Sequence, residues 1–223
     1  MRIFATGALQ SPPDPRDFRL AAAKKYELPK KHMQQTPPVI DQGNVGNCVA
    51  QACCYASKAS NGPDFDPNWI YGRRGETDFQ GSGWYIRLAL NTLLKEGNVP
   101  WTGQEPLEVE DVQNYVRKNE PRLLALARNY KIENYALLGS PAEIKTALFS
   151  GMRVVFSAPI TVFETDEDGL FRCTINNYGG HAMSVWGYDG ELFRVQNSWG
   201  TDWGENGRCW MLAEDILRWN DCW

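Results

Sequence analysis

The spacing of apolar and polar positions changes about halfway along this chain. Around Cys48, small or apolar residues stand at Val49, Ala52, Cys53 and Ala56. That i, i+3, i+4, i+7 spacing predicts a helix that begins at Cys48 and buries one face. It should end near Ser60, before the stop signal Asn61-Gly62-Pro63. From Trp84 the helical spacing returns, with Ile86, Ala89, Leu90, Leu93 and Leu94 on one face and Gly97 as the stop. Residues 109–119 and 122–128 are expected as two short helices, with Pro121 at a helix start. The alternation of Tyr130, Ile132, Tyr135 and Leu137 predicts a strand over residues 130–138. Ser140-Pro141-Ala142-Glu143 has the form of a capping box with proline at the first helical position, opening a helix that stops at Gly151. The run Val154-Val155-Phe156-Ser157-Ala158 predicts a buried strand. Residues 182–188 and 191–196, joined by Asp189-Gly190, predict a β-hairpin, and residues 207–212 a further strand.

Helices in the first half and strands in the second imply an α+β protein of two lobes with a cleft between them. The helical lobe is expected over about residues 38–128 and the β-rich lobe over about 129–223. Residues 1–37 carry Pro12, Pro13, Pro15, Pro29 and Pro37. Apart from a short helical turn at 21–26, they are expected to form an extended arm over the globular body of residues 38–223.

Composition narrows the function. The chain has 223 residues and a net charge of −4 with no basic block, so nucleic acid and anionic membranes are not expected partners. No apolar run approaches the ~20 residues of a spanning helix, so no membrane insertion is expected. The first residues lack the apolar core of a signal peptide, which favours a cytoplasmic protein, with secretion by another route left open. There are six cysteines, no CxxC pair and only two histidines, so a structural zinc site is not expected. Buried, reduced thiols are the plain expectation for the remaining cysteines.

The candidate chemistry starts at Cys48. Unsatisfied N–H groups and the positive end of the helix dipole gather at a helix N-terminus, and both favour thiolate over thiol. A thiol nucleophile needs a base close by, and that base needs a group to hold its ring. His32 lies in the arm and is expected at the surface. His181 follows Gly179-Gly180, where the backbone can approach another surface closely, and it begins a strand. The hairpin brings positions near 181 and 197 opposite each other. Asn197 can then accept one imidazole N–H, leaving the other nitrogen to face the thiol. Trp199 can shield that bond from water.

Three stretches now resemble the papain-like cysteine peptidases. They are Gln42-Gly43-x-x-Gly46-Asn47-Cys48, Gly180-His181-Ala182, and the run from Asn197-Ser198-Trp199-Gly200 through Trp203-Gly204 to Gly207. The separations, 181 − 48 = 133 and 197 − 48 = 149, fall within the ~130–150 residues typical of the family. The resemblance implies a papain-like fold, a helical lobe plus a β-barrel-like lobe with the active site in the cleft. Cys48 would be nucleophile, His181 base and later acid, and Asn197 the residue that orients the ring. The Gln42 side chain and the Cys48 N–H would form the oxyanion hole. Trp203 would line the leaving-group side, and the stretch from Gly81 through Gly83 to Trp84 the glycine-rich wall that pairs with an extended substrate. Gly46 and Gly180 join that substrate-binding set.

The implied activity is cysteine-type endopeptidase hydrolysis of a peptide or protein substrate through a thioester, with no metal or organic cofactor. A ligase or transpeptidase using the same acyl-enzyme, and an inactive binding module, are the alternatives. Two positions depart from the family pattern: Val45 stands where a disulfide cysteine is usual, and Val49 where an aromatic residue is. The specificity pocket is expected around Ser157 or Ala158, Ala182 and Trp84-Tyr85, with Gly180 and Met183 suggesting an uncharged surround. The arm, over residues 1–27, is expected to cover part of the cleft and inhibit in cis.

Overall fold

The structure is a computed structural model that describes residues 5–20, 26–58, 62–75, 82–101, 103–159, 162–165, 171–174 and 179–223. Helices α1 (Cys48–Ser57), α2 (Pro67–Gly72), α3 (Ile86–Lys95) and α4 (Val109–Ala127) make the first half, and α5 (Pro141–Phe149) and α6 (Ala213–Ile216) lie among the later strands. Two short strands sit in the arm, β1 (Ala8–Leu9) and β2 (Lys31–Met33), and β3 (Trp84–Tyr85) precedes α3. The later strands are β4 (Val154–Pro159), β5 (Val162–Thr165), β6 (Phe171–Thr174), β7 (Gly180–Asp189), β8 (Leu192–Gln196) and β9 (Arg208–Leu212).

The main sheet is built around β7, which is buried from Gly180 to Tyr188. A strand covered on both faces reads as a continuous apolar run rather than an alternation. It pairs antiparallel with β8 on one side and β4 on the other, and β8 continues to β9. Met183, Val185, Phe156, Phe193 and Val195 fill one core under α5. Helix α1 lies against β7 on one side and against α2 and α3 on the other. Every residue from Cys48 to Tyr55 is buried, so the predicted one-sided stripe is in fact a helix enclosed all round.

Several expectations need correction. Pro121 does not start a helix; it sits inside the single helix α4. Val112, Val116, Leu123 and Ala127 all face the core, and this shared apolar stripe carries the helix past the missing N–H. Residues 130–138 form no continuous strand. Their backbone groups go piecemeal to several partners, Ile132 N to Leu93 O, Leu137 N to Phe18 O, and Leu138 N to Cys222 O. No single neighbouring edge runs alongside them, so apolar alternation alone does not make a ladder. Trp84 and Tyr85 are strand, and α3 begins only at Ile86. Helix α1 ends at Ser57 rather than near Ser60. The proposed turn at 21–26 lies almost wholly outside the described residues. Ser140 caps α5 as expected, accepting from Glu143 N at 3.2 Å.

The arm is more than a surface strap. Strand β1 pairs antiparallel with β7 at Ala8–Gly180 and parallel with β3 at Ala8–Trp84 and Leu9–Tyr85. It therefore bridges the β-rich lobe and the edge of the helical lobe. Strand β2 adds to the far end of β7, with His32 opposite Tyr188.

Candidate active site

Cys48 opens α1 and His181 lies one residue into β7, on the strand that packs against that helix. Asn197 follows the end of β8. The hairpin turn falls at Gly190 and Glu191, one position later than the sequence pattern implied, and a bulge lies between Val185 and Gly187. Ser184 faces Gln196 across the ladder, so His181 and Asn197 sit diagonally rather than directly opposite. The diagonal suffices. The side-chain oxygen of Asn197 can only accept, so the His181 Nε2–H donates to it, over 2.7 Å. Asn197 Oδ1 also accepts from Ser198 N at 2.7 Å, which fixes the amide. His181 Nδ1 is buried with no hydrogen-bond partner, the Cys48 thiol included, so it is free to take a proton. Trp199 stacks on the imidazole with ring centroids 4.3 Å apart and planes 26° apart. Trp203 packs edge-on against Trp199 at 5.6 Å.

Gln42 is completely buried. Its Nε2 donates to Val45 O at 2.7 Å and reaches Ala5 O at 3.4 Å. The Ser198 hydroxyl donates to Gln42 Oε1, and Gln42 N donates to Ser198 O at 2.8 Å. Ser198 therefore sets which end of the Gln42 amide points outward. Only its place beside Asn197 hinted at this, because the contact spans 156 residues of sequence.

The arm lies directly in this site. The Trp199 indole N–H donates to Ala5 O at 2.9 Å. Gly7 N donates to Gly180 O at 3.0 Å, and Trp84 N donates to Gly7 O at 2.8 Å. A Cβ on Gly7 would stand 2.2 Å from Gly46 O, and one on Gly83 would stand 2.2 Å from Gly7 O, so two bare backbones meet here. Gly46, Gly83, Trp84 and Gly180, all named from sequence as peptide-binding, thus touch a peptide strand. Gly81 lies outside the described residues.

The wall has a support that the sequence did not reveal. Gly83 N donates to the Tyr71 hydroxyl at 3.2 Å, and Arg74 Nη1 donates to Gly83 O. The Arg74 guanidinium lies 4.1 Å from the centroid of the Tyr71 ring. Both residues are buried, in or just after α2.

Electrostatics under the arm differ from expectation. Burial pushes the Cys48 thiol up to about 12, and the backbone groups around it counter this only in part. Burial also pulls His181 down to about 4, against the opposing effect of the Asn197 bond. The helix N-terminus was expected to favour thiolate, but complete burial outweighs it. Both groups are neutral while covered. Near the expected specificity pocket, the Ser157 hydroxyl donates to the buried Asp221 carboxylate, which also accepts from Trp223 Nε1 at 2.8 Å. A buried acidic side chain therefore stands beside Ser157, one of the residues expected at that pocket. Cys48, Cys53, Cys54 and Cys222 are free thiols.

An α+β fold that sets a cysteine at a helix start against a histidine–asparagine pair on a sheet defines a cysteine peptidase. The pattern of the papain family of cysteine proteases matches residues 74–222, and the chain belongs to that family. His181 and Asn197 lie inside the match, and Gln42 and Cys48 lie before it. A peptidase C1-like protein of Acanthamoeba polyphaga mimivirus is 28% identical over 90% of this chain and 79% of its own length. Cysteine proteinase 1 of Entamoeba histolytica is 27% identical over 89% of this chain and 66% of its own. Among solved structures, xylellain, a cysteine protease from Xylella fastidiosa, is similar with a TM-score of 0.73 and 26% identity, over 99% of this chain and 94% of its own. Digestive procathepsin L 3 of Tenebrio molitor shares the fold at 14% identity and a TM-score of 0.66, over 97% of this chain and 74% of its own.

Proposed function

We propose that this cysteine peptidase is an endopeptidase whose Cys48 attacks the substrate carbonyl. His181 takes the thiol proton and later gives it to the leaving amine. Asn197 holds the ring, and Gln42 Nε2 with the Cys48 N–H stabilises the oxyanion. Water then hydrolyses the thioester. The observation that carries this reading is the His181 Nε2–Asn197 Oδ1 bond of 2.7 Å, with Nδ1 left buried and unpartnered. Internal cleavage, rather than trimming of ends, is supported by the arm itself, since an internal stretch over Ala5–Leu9 lies along the site. Cys48→Ala should abolish turnover, a loss of at least ~10⁴-fold, with the melting temperature nearly unchanged. Residual activity near that of the parent chain would overturn the assignment. Passing the acyl group to an amine would make the same enzyme a ligase, and product mass spectra with added amine separate the two outcomes.

The arm is proposed to inhibit in cis. Its support is geometric: the Ala5 carbonyl reaches the oxyanion donor, and Gly7 and Ala8 hold the two edges a substrate would need. A chain starting at Leu28 should cleave a short peptide faster than the full chain and bind it more tightly. Equal rates and affinities would reject inhibition while leaving the catalytic assignment intact.

A further inference from the structure

Helix α1 carries Cys48 at its start, but its middle and end border a different space. Cys53, Ala56, Leu90, Leu93, Val155 and Trp223 line a mainly apolar chamber of about 250 Å³, open on one side, between the helices of the first half and the β-rich lobe. Apolar walls of this extent offer an apolar guest more burial than water can match, since water there finds few polar partners. A smaller recess of about 110 Å³ adjoins it, lined by Thr36, Pro37, Lys58 and Trp186. Arg153 lines both spaces.

Among the described residues, no carboxylate side chain is ion-paired with Arg153. Its Nη1 donates to Gln34 Oε1 at 2.7 Å and Gly151 O at 3.3 Å, and its guanidinium lies 5.1 Å from the Trp186 ring centroid. Its Nε is buried with no hydrogen-bond partner. Lys58 differs, because it already pairs with Asp64 at 2.6 Å. Among the described residues, no Asp or Glu side chain lines either space. Burial alone lowers the Arg153 pKa, as for a charge short of counter-charge.

We propose that the junction of the lobes holds a binding site for a small amphiphilic carboxylate, its hydrocarbon chain in the chamber and its head group on Arg153. The chamber supplies apolar burial, and the guanidinium supplies paired donors that fit a carboxylate. Few, well-placed polar groups on an apolar pocket between lobes are the usual make-up of a small-molecule site. This site is separate from the peptidase centre and its occupancy is read without turnover, so its fate does not depend on the catalytic assignment.

Calorimetry of the full chain with decanoate, 1-decanol and decylamine tests it, below the concentration at which these amphiphiles self-associate. Decanoate should bind saturably at one site, 1-decanol more weakly and decylamine least. Arg153→Gln should weaken decanoate on the order of tenfold and leave 1-decanol unchanged. Ala56→Phe, which fills the chamber, should abolish binding of both. Methyl resonances of Leu93 and Val155 give a readout needing no variant, and should shift on adding decanoate. The proposal fails if decanoate gives no saturable binding, if decylamine binds as well, if Arg153→Gln changes nothing, or if the shifts fall only elsewhere.

Discussion

Under the arm, the two groups that should form an ion pair are held neutral, and this sets a pH dependence for the cover. The covered His181 has its pKa lowered from 6.5 to about 4. Whatever part of this burial the arm supplies is lost when it lifts, so the cover weakens as pH falls from 6.5 towards 4. Cys48 is raised from 9.0 to about 12, so by the same linkage the cover weakens as pH rises from 9.0 towards 12. The arm should hold tightest between those limits. Gly7→Val supplies the uncovered reference, because its Cβ would stand 2.2 Å from a backbone oxygen that cannot give way. The ratio of peptidase rates, Gly7→Val over parent, should be largest near neutrality and fall on both sides. A flat ratio would show that burial of these two groups does not control the arm. Cys48, His181, Asn197 and Gln42 were legible from sequence because each lies in a run whose residue types have few other uses at that spacing. Ser198, Tyr71, Arg74 and Asp221 were not. Their roles exist only once distant segments meet, as with Ser157 and Asp221, 64 residues apart.

At the scale of elements, the peptide-binding edge depends on what stands behind it. The resemblance to the family led to expecting a wall at Gly83 and Trp84, and it noted that Val45 removes a usual disulfide. In this chain Tyr71 and Arg74 hold both backbone groups of Gly83, leaving Trp84 N to bond Gly7 O. Arg74→Gln should therefore loosen the edge without touching the thiol or imidazole. Losing one hydrogen bond from a buried charged donor is worth about 1.5–3 kcal/mol. KM for a short peptide should rise roughly tenfold or more with kcat little changed, and Arg74→Lys should restore part of the loss. A fall in kcat with KM constant would place Arg74 elsewhere in the mechanism. The same reliance on partners explains which elements were misjudged. Local spacing foretold α1, α3, α5, β4 and β9, most of whose buried apolar residues pack into one or other of the two cores. It failed at residues 130–138, which alternate as a strand does but find no matching edge, and at Pro121, where the core stripe of α4 outweighs a local breaker.

For the whole molecule, the arm ties the two lobes together. Strand β1 joins β7 to β3, and beyond it the arm is held by Arg87 of α3. Arg87 Nη1 donates to both carboxylate oxygens of Asp17, at 2.9 and 3.1 Å, and Nη2 donates to Pro12 O at 2.6 Å. The side chains of Arg87 and Asp17 are only 17% and 13% exposed, so this pair is less screened than a surface bridge. Arg87 grips the arm at Pro12 and Asp17, away from Cys48, so it should govern how long the arm stays in place rather than the chemistry. Arg87→Gln removes the charge and most of these bonds, at a cost of about 1.5–3 kcal/mol in arm docking. The full-length variant should hydrolyse a short peptide on the order of tenfold faster than the parent. In a chain starting at Leu28, the same substitution should have almost no effect on rate, because the contacts it breaks are already gone. Added salt should raise the parent's rate and leave that of Arg87→Gln nearly flat. If Arg87→Gln changed both chain lengths equally, the residue would act through α3 and the Trp84 edge, and the arm would not be anchored there.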